Sequence, residues 1–196
     1  MKVNDYMIKG NDIPEKLYKS VLPESMNVRF VENHVIIDRP ANAVFDWVTT
    51  WGNISKWLAV ADEAELIRGG PIEKPSRIGD VLLEYVPPKY GNTSSNEPSM
   101  RKTYAYTVVV LVEGLLWIAA GQSWENGVAG EKIRFVQIFS TKSLSETRTL
   151  FSRTFHFIKD EVVNPVQRYP VDDPELMQES LKRLKAVLEA ETPTQD

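Results

Sequence analysis

The stretch PELMQESLKRLKAVLEAE, residues 174–191, decides the architecture. Met177, Leu181, Leu184 and Leu188 fall at i, i+4, i+7 and i+11, while Glu179, Lys182, Arg183, Lys185 and Glu189 occupy the other sides, the pattern of a helix with one apolar stripe. Its start is well signed. Asp172 or Asp173 is placed to accept hydrogen bonds from free first-turn amides, Pro174 gives up no needed donor, and Glu175 suits the positive end of the helix dipole. Burying the four stripe residues at about 1.5–3 kcal/mol each gives an upper value of about 6–12 kcal/mol, before ordering entropy and unfolded-state compactness are subtracted. A helix of this length is marginal alone, so the stripe predicts a sheet to dock on.

Upstream of the helix the apolar period changes from helical to alternating. Strands are predicted over residues 102–112 and 115–124, joined at Glu113-Gly114, and, after a turn at Glu125-Asn126-Gly127, over 132–141 and 146–158. Two more are predicted at 64–68 and 79–86, separated by a turn at Gly69-Gly70-Pro71, with Val81, Leu83 and Tyr85 on one face and Asp80 and Glu84 on the other. Residues 30–38 alternate as a first strand, with Val31, Val35 and Ile37 on one side. Between the first strand and the rest, Pro40 opens a short helix whose Ala41, Val44, Phe45 and Val48 share one face, and a second helical piece around 54–59 holds Trp57. Sequential strands with short links make an antiparallel meander, and one of its faces needs the final helix as a lid. The fold class is therefore α+β, with about seven strands and a closing C-terminal helix.

The chain is 196 residues long with 42% hydrophobic content, which suits one domain with its own core. Residues 1–27 read as an N-terminal extension in which Ile13, Leu17 and Val21 line one side of a short helix, residues 28–191 as the domain, and 192–196 as a tail. Residues 87–100 (PPKYGNTSSNEPSM) have no apolar period and read as a long loop. The lack of cysteine excludes disulfides, thiolate nucleophiles and cysteine-ligated metals, and His34 and His156 are too few for a His-rich metal site. The charged first twenty residues hold no signal-like apolar run, and the longest apolar stretch, 107–122, is broken by Glu113-Gly114 and short of the roughly 20 residues of a membrane span. A cytoplasmic protein without stable membrane insertion is expected. The net charge of −4 with dispersed basic residues gives no nucleic-acid footprint. No GxSxG, HExxH, P-loop or GxGxxG context is present, so neither a metal nor another cofactor is expected. The triplets at Asn53 and Asn92 match a glycosylation pattern but lack a secretory context.

The order of elements, together with HVIIDRPANAVFDWVTTWGNISKWL (34–58), RIGDVLLEY (77–85) and ESLKRLKAVLEAE (179–191), resembles the helix-grip fold of the START-related SRPBCC superfamily, which includes polyketide cyclase/dehydrase-like proteins. The likeness covers roughly residues 28–191. It implies a curved sheet wrapped around the long helix and a cavity between them that holds apolar or aromatic small molecules, lipid-like or polyketide-like. The short helices and neighbouring loops would form its mouth. The extension and the 87–100 loop depart from the simplest family pattern.

Strand parity then selects candidates. Ile133, Phe135, Gln137 and Phe139 share one side of their strand, and Phe151, Arg153, Phe155 and Phe157 one side of the last. Gln137 and Arg153 interrupt aromatic rows, where an unpaired polar group needs a partner or a ligand, although a one-residue change of register would turn either to solvent. The expected ligand-binding set is Trp57, Tyr85, Phe135, Gln137, Phe151, Arg153, Phe155, Leu181, Leu184 and Leu188. A tryptophan on a short helix such as Trp57 is more often a packing anchor than a ligand contact, and Tyr104, Tyr106 and Trp117 offer polar tips on strands whose facing is open. His156, on the opposite parity from Arg153, is expected to face solvent and not to act as a general base. Three functions follow: a binding protein for an apolar or aromatic small molecule, oriented by Arg153 or Gln137; a cyclase or dehydratase-like enzyme using the same cavity; and a chaperone-associated or other protein-interaction module. The catalytic residues of the second are not specified by the sequence.

Overall fold

A computed structural model describes residues 28–59, 61, 63–86, 102–125, 127–129, 133, 135–158 and 174–190. The expected N-terminal helix, the 87–100 loop, the Asp172 and Asp173 caps and the 192–196 tail lie outside the described residues. The strands are β1 (Val28–Ile37), β2 (Glu63–Arg68), β3 (Val81–Val86), β4 (Lys102–Val112), β5 (Leu116–Glu125), β6 (Val128–Ala129), β7 (Phe135–Ser145) and β8 (Arg148–Ile158). The helices are α1 (Ala41–Thr49), a 3-10 turn at Trp51–Asn53, α2 (Ile54–Trp57) and α3 (Pro174–Ala190). The penultimate strand runs later than its apolar pattern suggested, because pairing with β8 carries it through the polar residues up to the 146–147 turn.

Every pairing in the sheet is antiparallel, in the order β1-β8-β7-β5-β4-β3-β2, with the two-residue β6 pairing with β5. From β2 to β8 this is the expected meander. β1 is the exception: it lies beside β8, at the opposite edge from β2. The segment holding α1, the 3-10 turn and α2 therefore carries the chain from one edge of the sheet to the other. Register shifts between Leu66 and Arg68, Val108 and Val110, and Ser143 and Ser145 mark bulges, which bend strands and deepen the curvature of a sheet. The turn between β4 and β5 falls at Glu113-Gly114-Leu115, with Gly114 at φ +67°, a conformation that suits glycine.

Helix α3 lies along β1 and against α2, and α1 packs on β7 and β8. Met177, Leu181, Leu184 and Leu188 are all buried in one core cluster with Val44, Phe45, Val48, Trp51, Trp57, Phe139 and Phe151. The stripe therefore does what its spacing predicted. Polar ties fix the register of the helix. Lys185 Nζ donates to Ile36 O at 2.7 Å, Arg39 Nε to Leu188 O at 2.7 Å, and Asp38 N to Glu189 Oε1 at 2.8 Å. Nearer its start, Asn33 Nδ2 donates to Gln178 Oε1 at 3.0 Å, and Ser180 Oγ accepts from Ala59 N at 3.0 Å. Thus β1, α2 and α3 form one connected wall.

Gly121 illustrates how closely the concave face is packed. It pairs with Phe135 across β5 and β7, and the Phe135 ring lies over it where a Cβ would stand. That ring stacks on Phe155 at 4.9 Å between centroids and meets Tyr106 at 5.1 Å. Gly121→Ala is expected to destabilise the fold by about 1–3 kcal/mol in urea unfolding, through displacement of Phe135. An unchanged midpoint would show that the ring has room to move.

Candidate functional site

Alternation and register assign the side chains of the concave face. Row by row across the sheet they are Leu82, Tyr106, Gly121 and Phe135; then Val108, Ala119, Gln137, Phe155 and Val31; then Leu111, Trp117, Phe139, Arg153 and Asn33. Arg153 thus enters the interior, as its place among phenylalanines suggested, and it is 0% exposed. Its guanidinium carbon stands 5.6 Å from the centre of the Trp57 ring. Trp57 in turn meets Phe139 and Phe151 edge-on, at 5.7 and 6.2 Å. Trp117 stacks on Phe139 at 4.6 Å, which extends the aromatic cluster on the same face.

The hydrogen bonds of this cation are poor ones. Nη2 donates to Gln137 Oε1 at 3.2 Å, Nη1 donates to the Met177 thioether sulfur at 3.0 Å, and Nε has no partner among the described residues. A thioether is a weak acceptor, so one of the two bonds does little for a desolvated charge. The Gln137 amide is oriented by its bond to Arg153, which leaves its Nε2 without a partner. The indole Nε1 groups of Trp57 and Trp117, and Glu84 Oε2 and Asn33 Oδ1, are also buried without partners. Each such group costs about 1–3 kcal/mol when left unpaired.

Glu84 is a buried, inward-facing acid that the sequence reading did not include among its candidates. It is 1% exposed and faces inward from β3 beside Leu82 and Tyr106. Burial raises its carboxyl above the ordinary carboxylate range, while the Arg153 charge and a hydrogen bond with Tyr106 pull it back. Burial and the Glu84 charge raise the Tyr106 phenol well above its usual range. Burial lowers the Arg153 guanidinium, and Glu84 and Tyr106 oppose that shift. The three groups form one electrostatic unit inside the grip.

Tyr85, expected to face the ligand, lies on the other side of β3, and its hydroxyl donates to Glu65 Oε2 at 2.7 Å on an exposed surface. The alternation of Val81, Leu83 and Tyr85 pointed the wrong way because both faces of this sheet are apolar: Leu116, Ile118, Val136 and Ile138 form a second buried cluster on the convex side. For the same reason His156 is buried at 5% exposure and does not face solvent. His34, also on the convex side, approaches Ser152 Oγ through Nδ1 at 3.0 Å. Of the other expected residues, Trp57, Phe135, Gln137, Phe151, Phe155, Leu181, Leu184 and Leu188 all lie between the sheet and the helices. The resemblance implied a cavity against the helix, yet Met177, Leu181 and Leu184 have no exposed surface and belong to the buried core cluster. Among the described residues, two surface clefts lie elsewhere, beside α1, with volumes of about 520 and 560 Å³, and Asp46 and Pro75 line both.

Removing either member of the buried pair should have unequal consequences. Arg153→Met leaves Glu84 free to stay neutral by keeping a proton, whereas Glu84→Gln leaves a guanidinium that cannot lose its charge. Glu84→Gln is therefore expected to cost about 3–5 kcal/mol at neutral pH and to be the more damaging change. Without Arg153, the folded-state pKa of Glu84 rises further above its unfolded value. Stability held by the protonated group is complete below the unfolded pKa and is lost as pH rises through the folded one. Urea unfolding should thus find Arg153→Met more costly at pH 8 than at pH 5, and equal costs would contradict the coupling.

No protein-family model matches the sequence, and no curated protein is significantly similar to it. Solved structures are similar in shape. A protein from Chromobacterium violaceum matches with TM-score 0.55 at 17% identity, covering 83% of this chain and 98% of that one. A START superfamily protein from Mycobacterium smegmatis matches with TM-score 0.51 at 18% identity, covering 82% and 94%. A major latex-like protein from Panax ginseng matches with TM-score 0.53 at 10% identity, covering 82% and 97%. Alongside the observed antiparallel sheet and its long closing helix, these likenesses show that the chain has a START-like helix-grip fold.

Proposed function

We propose that the protein binds a small molecule with an apolar or aromatic body between the concave sheet face and α3, with Arg153 and Gln137 orienting it. The observation that carries this reading is the fully buried Arg153, ringed by Trp57, Phe139 and Phe151 and held by one amide oxygen and one thioether. A desolvated cation with such partners is expensive as a purely structural element. Aromatic walls supply desolvation and dispersion, while a few convergent polar groups set orientation.

Entry to this interior involves the start of α3. The ties through Lys185, Arg39 and Glu189 anchor the end of the helix to β1, whereas Met177, in its first turn, is the residue against Arg153. Methionine has three rotatable side-chain bonds and repacks at low cost. Withdrawal of Met177 uncovers the guanidinium without breaking the anchored end.

A second reading, catalysis of a cyclase or dehydratase type, is favoured by one specific feature. Glu84 is a buried acid with a raised pKa, hydrogen-bonded to Tyr106 and coupled to Arg153. Such a group is able to exchange a proton with a bound carbonyl compound, Arg153 holding the enolate oxygen.

For the binding reading, the full chain is expected to take up the neutral dye N-phenyl-1-naphthylamine saturably, with quenching of tryptophan fluorescence from Trp57 and Trp117. Met177→Trp, which fills the space beside Arg153, should weaken uptake about tenfold or more while circular dichroism stays native. Uptake that never saturates would defeat the reading. For the catalytic reading, the methyl protons of 2-acetonaphthone should exchange for deuterium in heavy water faster with the protein than with Glu84→Gln, as followed by NMR. Equal rates would leave binding without chemistry.

A further inference from the structure

Among the described residues, the buried groups without partners on or over the concave face are unbalanced in kind. Four are N–H donors: Arg153 Nε, Gln137 Nε2, Trp57 Nε1 and Trp117 Nε1. Two are acceptors, Glu84 Oε2 and Asn33 Oδ1. The assignment of Gln137 Nε2 as a donor is fixed, because Gln137 Oε1 already accepts from Arg153. Asn33 is fixed likewise, since its Nδ2 donates to Gln178. Gln137, Trp117, Arg153 and Asn33 lie on two adjoining rows of the concave face, the Trp57 ring stands over Arg153, and Glu84 faces the same interior from β3, coupled to Arg153 by charge.

From this imbalance we infer that the bound molecule is recognised through an acceptor oxygen, as a planar apolar compound bearing a carbonyl group, and that the site discriminates against hydrocarbons and amines of the same shape. The inference rests on the binding reading above and specifies its ligand. A carbonyl oxygen offers two lone pairs and so satisfies Arg153 Nε together with one further donor, whereas a hydrocarbon leaves both unpaired and desolvated. An ammonium adds a like charge beside Arg153 and brings only donors to a site already rich in them. Met177 supports the same choice: its sulfur occupies Nη1 as a weak acceptor that a carbonyl oxygen replaces with a stronger one. Glu84, whose carboxyl is raised, becomes a further donor to that oxygen when it holds its proton. The selectivity of such a site exceeds that of a simple apolar pocket, because the wrong ligand strands buried polar groups.

The test compares three ligands of nearly equal size on the full chain by isothermal titration and tryptophan quenching: 2-acetonaphthone, 2-ethylnaphthalene and 2-(aminomethyl)naphthalene. 2-Acetonaphthone should bind about tenfold or more tightly than 2-ethylnaphthalene, with the amine weakest. Arg153→Met should abolish the preference of the ketone over 2-ethylnaphthalene. Gln137→Met, which keeps the side-chain length and leaves Arg153 and Glu84 in place, should reduce the preference if the Arg153 variant does not fold. Equal binding of the ketone and the hydrocarbon by the unaltered protein would overturn this inference and leave the binding reading standing. Failure of all three ligands to bind would overturn both.

Discussion

The rest of the structure depends on keeping one permanent charge inside an aromatic interior. Arginine does not shed its proton within the range of protein chemistry, so Arg153, at 0% exposure, must be satisfied by what surrounds it. The concave face answers in three ways: Glu84 supplies opposite charge, Gln137 supplies an amide oxygen, and the Trp57 ring supplies its negative face at 5.6 Å. These groups come from β3, β7 and α2, elements separated by long stretches of chain. Only the completed grip, with α3 across the top, brings them together. The polar cluster therefore depends on long-range contacts, and in the proposed function it is where stability is given up for a binding surface.

Much of the architecture was legible in local patterns. The stripe of α3, the meander from β2 to β8 and the Glu113-Gly114 turn follow from spacing and turn chemistry, which act within a few residues. The placement of β1 beside β8 is not local: Val35 pairs with Phe151, and no nearby residue records that choice. Its physical source is the need to cover the outer edge of β8, and the chain meets that need by routing α1 and α2 across the concave face.

The site was legible where a polar residue broke an apolar row, and hidden where it did not. Arg153 and Gln137 stood out between phenylalanines. Glu84 did not, because its row also reads as the polar face of a strand whose other side carries Val81, Leu83 and Tyr85. Alternation identifies the inner face of a sheet only when the outer face meets water. Here Leu83 is buried on the convex side and Glu84 on the concave one, so the period of two was real and its phase was misread. The burial of His156 has the same origin. Chemistry separates the two faces where hydropathy fails: the concave face holds the coupled charges of Glu84 and Arg153, the convex one the neutral cluster around Ile118.

The central claim is that Arg153 is a ligand anchor held in reserve by a weak sulfur acceptor, and not a structural charge already satisfied. The most direct measurement is the ¹H–¹⁵N resonance of the Arg153 side-chain Nε–H group, assigned through Arg153→Lys and followed during titration with 2-acetonaphthone. The account predicts a downfield proton shift that saturates together with tryptophan quenching, larger than that of any other arginine Nε–H. A saturating fluorescence change with an unmoved Arg153 resonance would contradict it.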